Sequence, residues 1–438
     1  MRSPLLNSIF GVCLLAALAI PVCVVAQGEQ RQPAEHVQHY TVTDLGTLDG
    51  GTFSQPFFIN RYGLVSGSAS LPDGTQNAVL WLWELRLDIG APGLGGPNSI
   101  AFGDNERFQS AGEAETPTPD SNGEDFCGFG THLTCLPFVW QNGVMTPLPT
   151  LGGNNGEAGL ISSRGEVAGT AENATPDSTC PPGGPQVLQE KPVIWRNGEI
   201  KALDTFRGDP DGWAFGINDK GQVVGASGIC STLNSDTYFY VLSRHALLWD
   251  NGKVTDLGNL GGTGTYGPGN IAYDINNRGQ VVGTSDLKGD TTFHGFLWTT
   301  ETGIQDLGTL SGDVASFSVS INDAGSVVGE SADASGNLRA FLWEKGVMTD
   351  LNTLIAGDSP LYLLTGCSIN SRGEITGLGL TSTGEIHTYL ASPTHDVAIS
   401  ESTSQGVISQ RVLSDDARKL LQQQLRFGRF GARFMGPQ

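Results

Sequence analysis

Three sets of residues in this sequence have types and spacings that could do chemistry. His245, His294, Arg339 and His387 each stand four residues before the last position of an apolar triplet, and imidazoles serve as general acids, bases and metal ligands near neutral pH. Asp120, Asn122 and Asp125, and separately Asp209 and Asp211 before Gly212, put oxygen donors close together as calcium loops do. Cys127, Cys135, Cys180, Cys230 and Cys367 follow the first 26 residues and could ligate metal or oxidise.

Spacing argues against each as a reactive centre. The three histidines and Arg339 recur at one place in a repeating unit, and a residue repeated round a scaffold usually makes a structural hydrogen bond. Neither acidic stretch has the D-x-[DN]-x-[DN]-G ligand order, so both read as acidic turns. The cysteines show no C-x-x-C pair. No Gly-x-Ser-x-Gly elbow, His-Glu-x-x-His or phosphate-binding loop is present. No catalytic residue, cofactor or metal site is therefore expected.

The elements that would position these residues come from three phrases in step. Asp-Leu-Gly-x-Leu or a weaker copy places its first Leu or Ile at 45, 89, 148, 203, 257, 307 and 351, an interval of 44–59 residues. Ile-Asn-x-x-Gly, followed by an apolar pair and Gly, starts at Ile59, Ile217, Ile275, Ile321 and Ile369; Ile161 has Ser for Asn, and the copy near Asn105 is worn. The apolar triplet ends at Trp81, Trp140, Trp195, Trp249, Trp298 and Trp343, with Tyr389-Leu390-Ala391 in the last copy. These tryptophans are structural repeat positions. A fixed period with variable insertions marks a repeat architecture.

Each phrase separates two strands. Ile-Asn-x-x-Gly is a short turn between apolar runs, and Asn142-Gly143, Asn197-Gly198 and Asn251-Gly252 after the Trp are hairpin turns, with Lys345-Gly346 as a variant. Four strands per unit is the content of a propeller blade. The seventh unit lacks its fourth strand, while a strand of that type, Tyr40 to Leu45, stands alone near the start. If it completes the last unit, the chain is an all-β, seven-bladed β-propeller of four-stranded blades with no free edge. The division expected is a signal peptide at 1–26, a linker at 27–39, the propeller at 40–395, and a tail at 396–438. From Ser414 to Leu425 the tail carries a short helix, followed by Arg426, Arg429 and Arg433 among Phe427, Phe430 and Phe434.

Composition bounds the rest. Arg2, the apolar stretch Ile9 to Val22, and Ala26 before Gln27 read as a secretory signal, too short an apolar run for a transmembrane anchor. The expected location is secreted, periplasmic or at the cell surface. In an oxidising compartment Cys127 should pair with Cys135, and Cys180 with Cys230, leaving Cys367 a buried thiol on a strand. The chain carries a net charge of −21, which repels phosphate backbones and disfavours nucleic acid as a partner.

The phrases D-L-G-N-L-G-G at Asp256 to Gly262, I-N-x-x-G-x-V-V-G at Ile275 to Gly283 and His294-Gly295-Phe296-Leu297-Trp298 resemble the HAF repeat of probable extracellular bacterial proteins. The resemblance spans about residues 40–392 and implies an extracellular location without implying catalytic residues. The unequal stretches are Glu113 to Leu136, Ala171 to Pro192 and Ser227 to Arg244, which share one place in the unit and so emerge on one face. Loops on a rigid scaffold carry function, so the expected role is a binding scaffold for an extracellular ligand, a glycan or an envelope protein. Two alternatives stand beside it: a propeller enzyme acting on carbohydrate or lactone with axial carboxylates, and a structural envelope protein anchored by its tail.

Overall fold

The computed structural model describes residues 38–394 and 412, apart from 84, 183–185, 231–240 and 265–268. The expected signal peptide and all but the last two residues of the linker lie outside the described residues, as does the tail, Val412 aside. Seven antiparallel sheets follow one another along the chain, six of them four strands in sequence order. Their first strands are Ser54–Ile59, Ser99–Asp104, Gly152–Ile161, Asp211–Ile217, Ile271–Ile275, Ala315–Ile321 and, in the seventh, Tyr362–Leu363 with Ser368–Ile369. These first strands touch one another in order, and the last touches the first. The chain is a seven-bladed β-propeller, with those strands around the axis.

The ring closes through the strand Tyr40–Gly46, which pairs with Ile386–Pro393 as the outermost strand of blade seven. Tyr40 stands opposite Pro393 and Thr43 opposite Leu390. No strand edge of that blade is left for want of a partner from its own end of the chain. The expected helix lies in the undescribed tail; among the described residues the only helical turns are the short Phe206–Gly208 and Leu351–Leu354.

The core lies between blades. Val224, Ala246 and Leu248 of blade four pack on Ala272, Ile275, Phe296 and Trp298 of blade five, and similar layers join the other neighbours. Trp81 and Trp195 are fully buried in such layers. Removing about 200 Å² of indole from water stabilises each by roughly 5 kcal/mol before entropy is counted. The indole also links blades: Trp195 Nε1 donates to the Pro149 carbonyl at 2.9 Å, and Trp249 Nε1 to Asp204 at 2.7 Å. Trp140 and Trp343 are only half-buried at the margins of their layers. After the triplet, Asn142-Gly143, Asn197-Gly198, Asn251-Gly252 and Lys345-Gly346 all have positive φ at both residues, the geometry of tight primed turns.

Ile-Asn-x-x-Gly does more than turn the chain. Asn276 Oδ1 accepts from the N–H groups of Arg278 and Gln280 at 3.0 Å, holding its own turn. Its Nδ2 crosses to the next blade and donates to the Asn322 carbonyl at 2.9 Å. Asn322 reaches Asn370 in the same way, and Asn370 reaches Asn60 of blade one at 2.9 Å, across the closure. Ser162 has no amide to pass on, and there Ser163 N–H donates to Asp219 instead. Asn276→Ala leaves the buried Asn322 carbonyl without this donor and should lower stability by about 2–3 kcal/mol in urea unfolding. Asn276→Ser, which can still hold the turn as Ser162 does through Glu166 N–H, should cost less.

The glycine after the apolar pair sets the shape of the axis. A methyl group built on Gly329 would overlap the Phe317 carbonyl oxygen on the first strand, and the equivalent glycines of the other blades meet the same obstacle. With no side chain there, the first strand draws close and bulges. In blades one to six the pairing register shifts within that strand, for instance between Ser318 and Ser320. A bulge turns one extra side chain, here towards the axis. In blade seven the strand breaks instead, and Leu364 and Thr365 N–H groups both donate to the Leu378 carbonyl. Cys367 sits in this break and is only partly buried, which corrects its expected place as a buried thiol on a strand.

Candidate functional site

The repeated His and Asp residues are brought together, as cross-links within blades. His245 Nδ1 lies 3.0 Å from Asp256, His294 Nδ1 2.9 Å from Asp306, and His387 Nδ1 2.9 Å from Asp44, while Arg339 reaches Asp350 at 3.3 Å. The same carboxylates accept the N–H of the glycine two residues on, in Gly258, Gly308 and Gly46. Partial burial raises Asp44 and Asp306, but the histidine and glycine hydrogen bonds outweigh it and hold both below the usual carboxylate range. The pair His387 and Asp44 ties the two ends of the propeller together.

The three long insertions emerge at the end of the blades opposite the Ile-Asn turns. The first two continue their hairpins as strands, Ser110–Pro119 with Leu133–Gln141 and Val167–Pro176 with Leu188–Arg196, rather than as loops throughout. Residues 231–240 of the third lie outside the described residues. Disulfides join Cys127 to Cys135 within the first and Cys180 to Cys230 across the second and third. Glu124 clamps the first insertion to the second, accepting the Val187 and Leu188 N–H groups. Asp120 Oδ2 accepts Asn154 and Asn155 amides at 3.0 Å. The described parts of the three insertions thus form one cross-braced body, tied also to the first strand of blade three.

Its carboxylates mostly serve that bracing. Asp120 Oδ1 takes Asn122 and Glu124 N–H groups, and Asp125 takes Gly130 N–H, so the acidic turn holds its own backbone. Asp209 accepts the Ser227 hydroxyl at 2.7 Å. Asp211 is buried and accepts Gln186 and Glu190 N–H groups; burial above all, then Asp177 and Glu190, push its pKa upward. Glu113 lies beside Cys127 and Cys135, but both sulfurs are spent in their disulfide, leaving one carboxylate there. Replacing Cys180 and Cys230 by Ser opens a loop of 50 residues and should cost about 4 kcal/mol. The eight-residue Cys127–Cys135 loop should cost about 2.5 kcal/mol on the same chain-entropy argument, so calorimetry should rank the two in that order.

A second feature was not singled out in the sequence. A cavity of about 140 Å³ lies on the axis, bordered by the first strands of all seven blades. The bulged residues, two before each Ile of Ile-Asn, include Phe57, Phe102, Phe215 and Tyr273. Phe57 and Phe102 meet edge to face at 4.8 Å, and Phe215 and Tyr273 lie 5.8 Å apart. On another side a polar arc runs across blades: Asp274 accepts the Ser320 hydroxyl at 2.9 Å and Ile321 N–H at 3.0 Å, and Ser320 lies 3.5 Å from Ser368. Glu330 and Cys367 also border the cavity, and burial pushes the Cys367 thiol up to about 12. The signal available in the sequence was the aromatic residue recurring two places before Ile-Asn.

No family model matches the chain, and no curated protein matches it in sequence. Among solved structures it is similar to a streptogramin B lyase, with a TM-score of 0.44 and 10% identity over 81% of this chain and 98% of that one. It is also similar to TolB from Acinetobacter baumannii, with a TM-score of 0.36 and 11% identity over 76% and 63%. A third is the six-bladed, fucose-recognising lectin of Aleuria aurantia, with a TM-score of 0.32 and 8% identity over 83% and 98%. These likenesses carry no argument about activity. Among the described residues no helix is long and apolar enough to cross a membrane.

Proposed function

We propose that this protein is a secreted binding scaffold of the HAF-repeat type, non-catalytic, whose recognition surface is the insertion face of blades two to four. One observation carries the reading: the described parts of three unequal insertions at one end are joined by a disulfide and a glutamate clamp, and Asn154 ties the first of them to blade three, while the opposite end is built of repeated short turns. A rigid, non-repeating surface on a repeating frame suits recognition, because little entropy is lost on binding. Two disulfides favour an oxidising compartment, in keeping with the signal-like first residues. The partner is an extracellular glycan or envelope protein.

The alternative of an enzyme with axial carboxylates rests on Asp274 and Glu330. Asp274 is tied to Ser320, Ile321 and Ile275, which disfavours it as an acid or base. The test is a glycan array and an envelope pull-down with the exported chain. A binder is expected whose retention falls at least tenfold when Cys180 and Cys230 are both replaced by Ser. Binding that survives loss of all three insertions, or no binder in either assay, would overturn the reading.

A further inference from the structure

The axial cavity lies apart from the insertion face and has its own chemistry. Its walls are aromatic, from Phe57, Phe102, Phe215, Tyr273 and Phe317, and no Lys, Arg or His lines it. Into this setting blade six places Glu330, on the strand Val327–Ala332 and 5% exposed. Among the described residues, no hydrogen bond or ion pair reaches its carboxyl.

A buried carboxylate without a partner is costly and must be neutralised, by a proton or by a positive charge brought to it. Aromatic faces around a carboxylate supply the second route, because the ring quadrupole attracts cations. The size is also limiting: a cavity near 150 Å³ holds a ligand about as large as benzene. The net charge of −21 adds a long-range preference for cations. From these we infer that the axial cavity binds a small organic monocation with an apolar body, its charge set against Glu330 and its body against the aromatic rings.

The pH dependence follows. Burial raises Glu330 to about 8, so the empty site is protonated at neutral pH and gains its charge above that. The other titratable groups facing it are Tyr273, Cys367 and Tyr389, all pushed upward and neutral in this range, and Asp274 across the cavity. Cation binding should therefore tighten as the pH rises through about 8 and release a proton below it.

The test is calorimetric titration of the full chain with tetramethylammonium chloride in borate and phosphate buffers, with neopentyl alcohol as the neutral probe of like shape. One site is expected at pH 9, with a Kd on the order of 1 mM or tighter, weakening at least tenfold by pH 6.5. Glu330→Gln, which keeps the shape, should bind at least tenfold more weakly at pH 9 and show no pH dependence. Phe215→Leu should weaken the cation about threefold or more and leave the pH profile in place. No binding by the wild-type chain, equal affinity in folded Glu330→Gln, or a neutral probe that binds as well as the cation would each overturn the proposal. Circular dichroism of each variant confirms folding.

Discussion

Replacing Gly329 by alanine should prevent a folded propeller from accumulating. The added methyl would overlap the Phe317 carbonyl oxygen and come within 2.9 Å of the Phe341 ring. Neither neighbour can retreat cheaply. Phe317 is fixed in the axial strand Ala315–Ile321, between blades five and seven, and Phe341 is fully buried in the layer behind it. Relief would mean drawing an axial strand away from its neighbours, and such backbone clashes in a close-packed core belong to the rare class of changes costing more than about 4–5 kcal/mol. Gly346→Ala is the control. It places a side chain at φ +91° in an exposed turn with open space around it, at a cost of about 1–2 kcal/mol. Soluble monomer yield and urea unfolding separate the two, and a Gly329→Ala unfolding free energy within about 1 kcal/mol of wild type would contradict this origin of the bulge.

Loss of the strand Tyr40–Gly46 should be nearly as severe. Tyr40, Val42 and Leu45 are buried, Tyr40 and Val42 against Leu342, Leu363, Ile375 and Tyr389, and Leu45 against Ile59 and Trp81 of blade one. At roughly 2 kcal/mol for each, their burial amounts to about 6 kcal/mol, comparable with the whole stability of an ordinary domain. Removal also leaves Ile386–Pro393 as an exposed edge, and such edges recruit other strands. A chain beginning at residue 47 should therefore dimerise or precipitate, and a synthetic peptide of residues 38–46 should restore a soluble monomer by completing the blade. Size-exclusion chromatography with and without the peptide is the measurement; a monomer with a wild-type unfolding midpoint and no peptide would contradict it.

Much of the ring was legible because its signals are local or periodic. The orphan strand near residue 40 announced closure, and the Asn-Gly pairs announced hairpins, since φ and side-chain type are coupled within a few residues. The same holds for His294 and Asp306, whose recurrence pointed to structure rather than chemistry. What stayed hidden depends on partners far along the chain. The bond from Asn276 to Asn322 spans 46 residues, and nothing near Asn276 reveals that its amide leaves its own turn. The bulge is hidden for the same reason: Gly329 reads as the end of the apolar strand Val327-Val328-Gly329 until the carbonyl above it is seen. The axial aromatics then escape notice, because strict alternation would not turn Phe215 or Tyr273 towards the axis. The insertions read as loops because they are the unequal stretches of the unit, yet their arms continue the hairpins as strands that end at Pro119 and Pro176, since proline is tolerated at strand ends and edges.

The pairing of Tyr40 with Pro393 has a mechanical consequence. The chain enters the closing blade through Tyr40 and leaves it through Pro393 at the same end, the end of the Ile369-Asn370 turn, since Pro393 neighbours Ala391 and Ala391 pairs with Ile375. A pull applied to Gln38 and Thr394 would therefore load the closing ladder one rung at a time, as a zip is opened, instead of shearing all rungs together. The first rungs to feel it are the bonds from Thr394 N–H and Oγ1 to the His39 carbonyl and from Gln38 to the Thr394 carbonyl. A tether on one side of the ring alone would leave that zip unstrained, whereas tethers on both sides would make it the weakest line in the molecule under tension.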